Sequence, residues 1–160
     1  MSDTNFHNAS FSDSIFHNTS LTNVAIFENI NQNIDLIDVK LDYSDIWGLE
    51  LINTKIRNSS FRFCTIVELI CNNMSILNSQ FEKAQMYYCE FIDVKFENVS
   101  FEKTVFRNDE DFMTTFNNVE FKDCTFDGTI FHNTQFINCM NVEDLQNKGA
   151  IFIDVNIENL

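Results

Sequence analysis

Apolar side chains recur at every fifth residue over most of the chain. The series begins Phe6, Phe11, Phe16, Leu21, Ile26 and ends Phe121, Phe126, Phe131, Phe136, and only Asn31 and Asp111 are polar within it. Two residues ahead of these centres runs a second column of small or β-branched residues, among them Ser44, Ser59, Cys64, Ala84, Cys89, Val94 and Thr104. Helices have a period of 3.6 and strands a period of 2, so a period of five is neither. A fixed short period marks a repeat architecture, in which each unit buries its apolar side chain only by stacking on the next. Two residues in five are expected to point inward and three outward, with the step unbroken as far as residue 136.

A slower rhythm lies on top of the first. Taking the centres four at a time gives four faces, beginning at Phe6, Phe11, Phe16 and Leu21 and repeating every twenty residues. The second residue after each centre is Asn or Asp in seven of seven cases on the third face and six of seven on the second, but in only four of thirteen on the other two. Asn and Asp tolerate left-handed backbone angles, so these columns are expected at tight corners, where stacked amides can also bond from coil to coil. Gly48 and Gly128 take the same role on the first face.

Segments such as SFEKTVF and VEFKDCTFDGTIF show the small-x-large rhythm directly. The pattern resembles the pentapeptide-repeat family, whose consensus is Ala-Asp/Asn-Leu-x-x, over about residues 4–139. Here Phe dominates the centre, and Asp or Asn seldom precedes it. The resemblance implies an all-β fold, a right-handed quadrilateral parallel β-helix of about seven coils. The register breaks after Cys139. Asn141 is placed to N-cap a short helix over residues 142–148, with Gly149 past its end. Ala150 with Phe152, and Val155 with Ile157, then restore the pattern shifted by one residue. The expected organisation is a solenoid over residues 1–140 and a cap of helix and strand over residues 141–160, in one domain. An open solenoid end offers a route to a homodimer.

Charge changes the functional picture more than the fold. The 160 residues carry a net charge of −14, which argues against direct binding of nucleic acid or an anionic membrane and suits a basic partner. No apolar stretch is long enough to span a bilayer. Residues 1–5 run straight into the repeat without a secretion signal, so the cytoplasm is the expected compartment. The five cysteines form no CxxC pair and lie on inward positions, which suits core packing. The three histidines are far apart, and neither a phosphate loop nor a nucleophile motif is present. The expectation is a protein without enzymatic activity, cofactor or metal.

Sorted by face, the acids gather. The second face holds Asp13, Glu50, Glu90, Asp93, Asp109, Glu110 and Asp111 and no Lys or Arg, a net charge of −7; it also contains the irregular centres Asn31, Cys71 and Asp111. Residues 109–111 are expected to bulge towards solvent, because a buried Asp111 would be costly. On the first face, Phe27, Trp47, Val67 and Tyr87 follow successive centres, with Tyr88 beside them. That position faces outward, and an exposed apolar stripe commonly marks an interface. Two readings of the partner stay open. One branch of the resembled family protects type II topoisomerases by mimicking duplex DNA; that reading puts Glu50, Glu90, Asp93, Asp109, Glu110 and Asp111 against the DNA-binding saddle of gyrase or topoisomerase IV. The other is an adaptor or effector rod that docks a protein through the aromatic stripe.

Overall fold

The structure, a computed structural model, describes residues 5–7, 15–17, 20–22, 24–109 and 112–158. They form a parallel β-solenoid of about six turns with a single short helix. Strand Ala25–Gln32 pairs with Asp45–Ile52 at a spacing of twenty residues, and Asp45–Ile52 pairs in turn with Thr65–Val67 and Ile70–Leu77. The third face stacks Asp35–Ile37 on Lys55–Arg57 and on the end of Ile70–Leu77. The fourth face is joined by single bridges, from Ser20 to Lys40, Ser60, Gln80 and Ser100.

The square cross-section comes from the corners. Every fifth residue from Asn33 to Lys103 has a positive φ, and the series resumes at Asn118. One left-handed residue in every five turns the chain through a corner and brings the next centre inward. Asn and Asp fill two corner columns, where they also bond between coils. Asn58 Nδ2 donates to Asp38 Oδ1 (3.1 Å), Asn98 Nδ2 to Asn78 Oδ1 (2.9 Å) and Asn73 Nδ2 to Asn53 Oδ1 (2.7 Å). The other two corners carry Tyr43, Phe63 and Lys83 in one column and Glu68 and Tyr88 in the next. A left-handed conformation costs such side chains roughly 1–2 kcal/mol each.

Inside, the centres make ladders of rings. Phe61 stacks on Phe81 at 4.8 Å, Phe81 on Phe101 at 5.5 Å and Phe101 on Phe126 at 5.4 Å, all within 12° of parallel. The small-residue column fills the space beside them. Its buried hydroxyls bond to carbonyls of the preceding coil, as Ser44 Oγ to Leu21 O (3.1 Å), Thr104 Oγ1 to Phe81 O (2.6 Å) and Thr129 Oγ1 to Phe101 O (2.6 Å). Buried polar atoms are tolerated there because they are paired. All five cysteines are free and buried, and burial pushes the Cys64 and Cys89 thiols up to about 12.

The unbroken five-residue step does not survive into space. Phe91 stacks on Phe116 at 4.8 Å, not on residue 111, and Glu90–Glu97 pairs with Thr114–Asn117 and Glu120–Lys122 at a spacing of 25 residues. The spacing returns to twenty between Thr114–Asn117 and Thr134–Ile137. Five extra residues therefore fall between Asn108 and Thr114, at the corner between the first and second faces. Every residue after them sits one face away from the twenty-residue count. Asn118 accordingly donates to Asp93 Oδ1 (2.6 Å) and continues the second-face corner column.

The cap differs from expectation at its first residue. The helix runs Glu143–Asn147, and its N-cap is Val142 without a side-chain bond. Asn141 instead takes a corner conformation (φ 59°), and its carbonyl accepts from Asp144 N (3.1 Å). Val142 and Leu145 are buried. Past Gly149 (φ 93°), Ile151–Ile153 and Asn156–Glu158 stack on the preceding coil at a spacing of 21 residues.

Candidate functional site: an aromatic edge and an acidic face

Trp47 pairs in register with Phe27 on one side and Val67 on the other, and Val67 pairs with Tyr87. Trp47 is 47% exposed; Val67, Tyr87 and Tyr88 are half-buried. The side chain of Phe27 lies outside the described residues, as do Glu110 and Asp111. Outward placement follows from the strand period, since the centres Ile46, Ile66 and Met86 point inward.

The extra pentapeptide extends this stripe around the corner. Tyr88 meets Tyr87 at 6.3 Å between ring centroids and meets Phe112 edge-on at 5.8 Å. Its hydroxyl donates to Asp109 Oδ2 (2.9 Å), and that bond raises the phenol above its ordinary range. Phe112 is 65% exposed and Met113 42%. At the foot of the loop sits buried Asn108. Its Oδ1 accepts from Tyr88 N (2.7 Å) and Thr114 Oγ1 (3.0 Å), and its Nδ2 donates to His132 O (3.1 Å) and Asn133 O (3.0 Å). One side chain thus occupies the corner that the departing backbone leaves open. Asn133 Nδ2 donates to the Asp109 carbonyl.

The second face keeps Glu50, Glu90 and Asp93, with Asp93 engaged by Asn118. Asp109 stands exposed in the corner loop rather than on the face. With the register corrected, residues 114–118 and 134–138 belong to the second face and carry no charge, and Asp127 moves from the first face to the fourth. Of the acids that gave the second face its net charge of −7, the described residues place Glu50, Glu90 and Asp93 on it; Asp13, Glu110 and Asp111 lie outside the described residues. The absence of Lys and Arg persists after the correction. The third face is different in kind, with Lys122 bonded to Glu97 (2.6 Å) and Lys95 close to Glu97 (3.4 Å) and Glu120 (3.7 Å).

Several residues that shape the surface were not singled out from sequence. Asn108 and Thr114 read as ordinary repeat positions, and Phe112 and Met113 as residues flanking a polar centre. Ile52, Ile70 and Ile92 are half-buried residues on the outside of the second face. At the other end of the first face, at its corner with the fourth, Tyr43 and Phe63 stack 4.8 Å apart with Lys83 Nζ 4.9 Å from the Phe63 ring. Among the described residues, no group of three or more His, Cys, Asp and Glu is placed to hold a metal, and no helix is long and apolar enough to cross a membrane.

Comparisons bear on the architecture. A family model described as pentapeptide repeats (eight copies) matches residues 1–26. Comparison with curated proteins gives no significant match. Among solved structures, the pentapeptide-repeat protein Rfr23 of the cyanobacterium Cyanothece 51142 superposes with a TM-score of 0.60 at 9% identity, over 79% of this chain and 90% of its own. Full-length QnrB1, a plasmid-mediated fluoroquinolone resistance protein, gives a TM-score of 0.48 at 14% identity, over 98% of this chain and 92% of its own. The first likeness is close enough to speak for the fold. A five-residue step, left-handed residues at the corners, four stacked faces and the repeats matched at the start of the chain all agree: the chain has the fold of a pentapeptide-repeat protein.

Proposed function

We propose that the protein is a docking rod without enzymatic activity. It holds a protein partner against the edge formed by Trp47, Val67, Tyr87, Tyr88 and Phe112. The carrying observation is the continuity of this edge, in which a column of Trp47, Val67 and Tyr87 on three coils joins exposed Phe112 through Tyr88. Aromatic residues at a solvent-facing edge supply large contact area at low entropic cost and are typical anchors of protein interfaces. The test is affinity capture from the cell of origin with the wild type, with Trp47→Ser/Tyr87→Ser, and with the third-face reversal Lys95→Glu/Lys122→Glu. The expected result is loss of the captured partner with the aromatic pair alone, at unchanged far-UV circular dichroism. Equal capture by all three proteins would overturn the reading.

The second reading is a mimic of duplex DNA that binds a type II topoisomerase. Its support is the net charge of −14 and a face that carries acids and no cation. Magnitude weakens it. Duplex DNA has about one charge per 1.7 Å, whereas the described part of the second face offers only Glu50, Glu90 and Asp93 over five coils. A supercoiling assay decides it: inhibition or drug protection at micromolar protein, lost on Glu50→Lys/Glu90→Lys, supports mimicry, and no effect removes it.

A further inference from the structure

We propose that the second face is a seat for a basic amphipathic helix lying along the solenoid axis. This rests on the docking-rod reading and names the class of partner.

The outward residues of this face alternate from coil to coil. In one column Glu50 pairs with Ile70, and Ile70 with Glu90; in the neighbouring column Ile52 pairs with Asn72, and Asn72 with Ile92. The three isoleucines are half-buried, Glu50 is half-buried and Glu90 is exposed. No Lys or Arg occurs in the second-face segments 49–53, 69–73, 89–93, 114–118 or 134–138. Over these three coils the face thus interleaves isoleucine with Glu50, Glu90 and Asn72, and no cation on it neutralises the two acids.

Spacing selects the form of the partner. Coils rise by about 4.8 Å, so Glu50 and Glu90, two coils apart, are separated by about 9.6 Å along the axis. Seven residues of helix rise about 10.5 Å and return to the same side, so cations at i and i+7 reach both acids while residues at i+3 and i+4 fall on Ile70. An extended strand fits poorly: three residues of it span about 10 Å but point the third side chain away. The face also has no backbone to lend, because its amides and carbonyls are bonded between coils. A helix satisfies its own backbone and needs only side-chain contact. The face is about as wide as a helix, flanked on one side by Tyr88 and on the other by the Asn53, Asn73 and Asp93 corner column. Charge excludes a second copy as the occupant, since two molecules of net charge −14 would oppose acid to acid.

The probe is a synthetic helical peptide with a leucine stripe and a lysine at every seventh position, titrated into the full-length protein by fluorescence anisotropy. Comparators are a scrambled peptide of the same composition and oligolysine. The amphipathic peptide is expected to bind in the micromolar range and to weaken by roughly tenfold with either Glu50→Lys/Glu90→Lys or Ile52→Ser/Ile92→Ser, and not with Lys95→Glu/Lys122→Glu. Thermal melts confirm that each variant is folded. Binding no tighter than that of the scrambled peptide or oligolysine, or unaffected by the isoleucine pair, overturns the proposal and leaves charge alone. If the peptide fails while capture still depends on Trp47 and Tyr87, the partner class is wrong and the docking rod stands; if both fail, the docking rod falls as well.

Discussion

Asn108 lets one coil be five residues longer than its neighbours. Its side chain makes four hydrogen bonds where a corner backbone would otherwise stand, and it is 4% exposed. Asn108→Ala leaves the Tyr88 amide unpaired in the interior, so we expect a loss of about 2–3 kcal/mol by chemical denaturation. Asn78→Ala, which breaks exposed corner bonds, is expected to cost about 1–2 kcal/mol. Asp42 sets a different residue-scale expectation. Its burial alone would raise the carboxyl, but hydrogen bonds from Arg62 and Ser60 and the guanidinium charge outweigh it, so Asp42 titrates below its ordinary value. A carboxylate depressed in the folded chain contributes stability that is present above its unfolded value, about 3.9, and is lost as pH falls through the folded one. Urea midpoints between pH 6 and 2 are expected to converge for wild type and Asp42→Asn at the acid end. A constant gap would contradict the linkage.

At the scale of elements, the extra pentapeptide divides what was legible in the sequence from what was not. The five-residue period, the inward columns and the Asn corners were plain, because each rests on local chemistry repeated many times. The skipped step was hidden because an insertion of five residues preserves a period of five. Its trace is there in two exceptions that belong together. Asp111 is a polar centre, and Met113 is the one second-face corner that is not Asn or Asp. Omitting residues 109–113 makes both corner columns unbroken, with Asp93 followed by Asn118 and Asn98 by Asp123. Deleting those five residues joins Asn108 to Thr114, as Tyr88 joins Cys89. That variant is expected to keep the far-UV spectrum and to melt within about 5 °C of the wild type. Deleting residues 94–98, which removes a whole side of a coil, is expected to abolish the cooperative melt. The stripe was legible as a spacing, whereas its continuation through Tyr88 to Phe112 depends on the loop and was not. The helix cap was misassigned because Asn suits a corner as well as an N-cap, and at Asn141 the corner prevails.

For the whole molecule, the faces divide the work. The third is neutralised by its own ion pairs, the fourth is joined by single bridges, and the first and second carry the aromatic edge and the uncompensated acids. Hydroxyl-radical footprinting of the rod with its captured partner tests this most directly, because reactive rings lie at both ends of the first face. The account predicts that the partner protects Trp47, Tyr87, Tyr88 and Met113 and leaves Tyr43 and Phe63 as reactive as in the free protein. Protection of Tyr43 and Phe63, with Trp47 and Met113 unchanged, would contradict it.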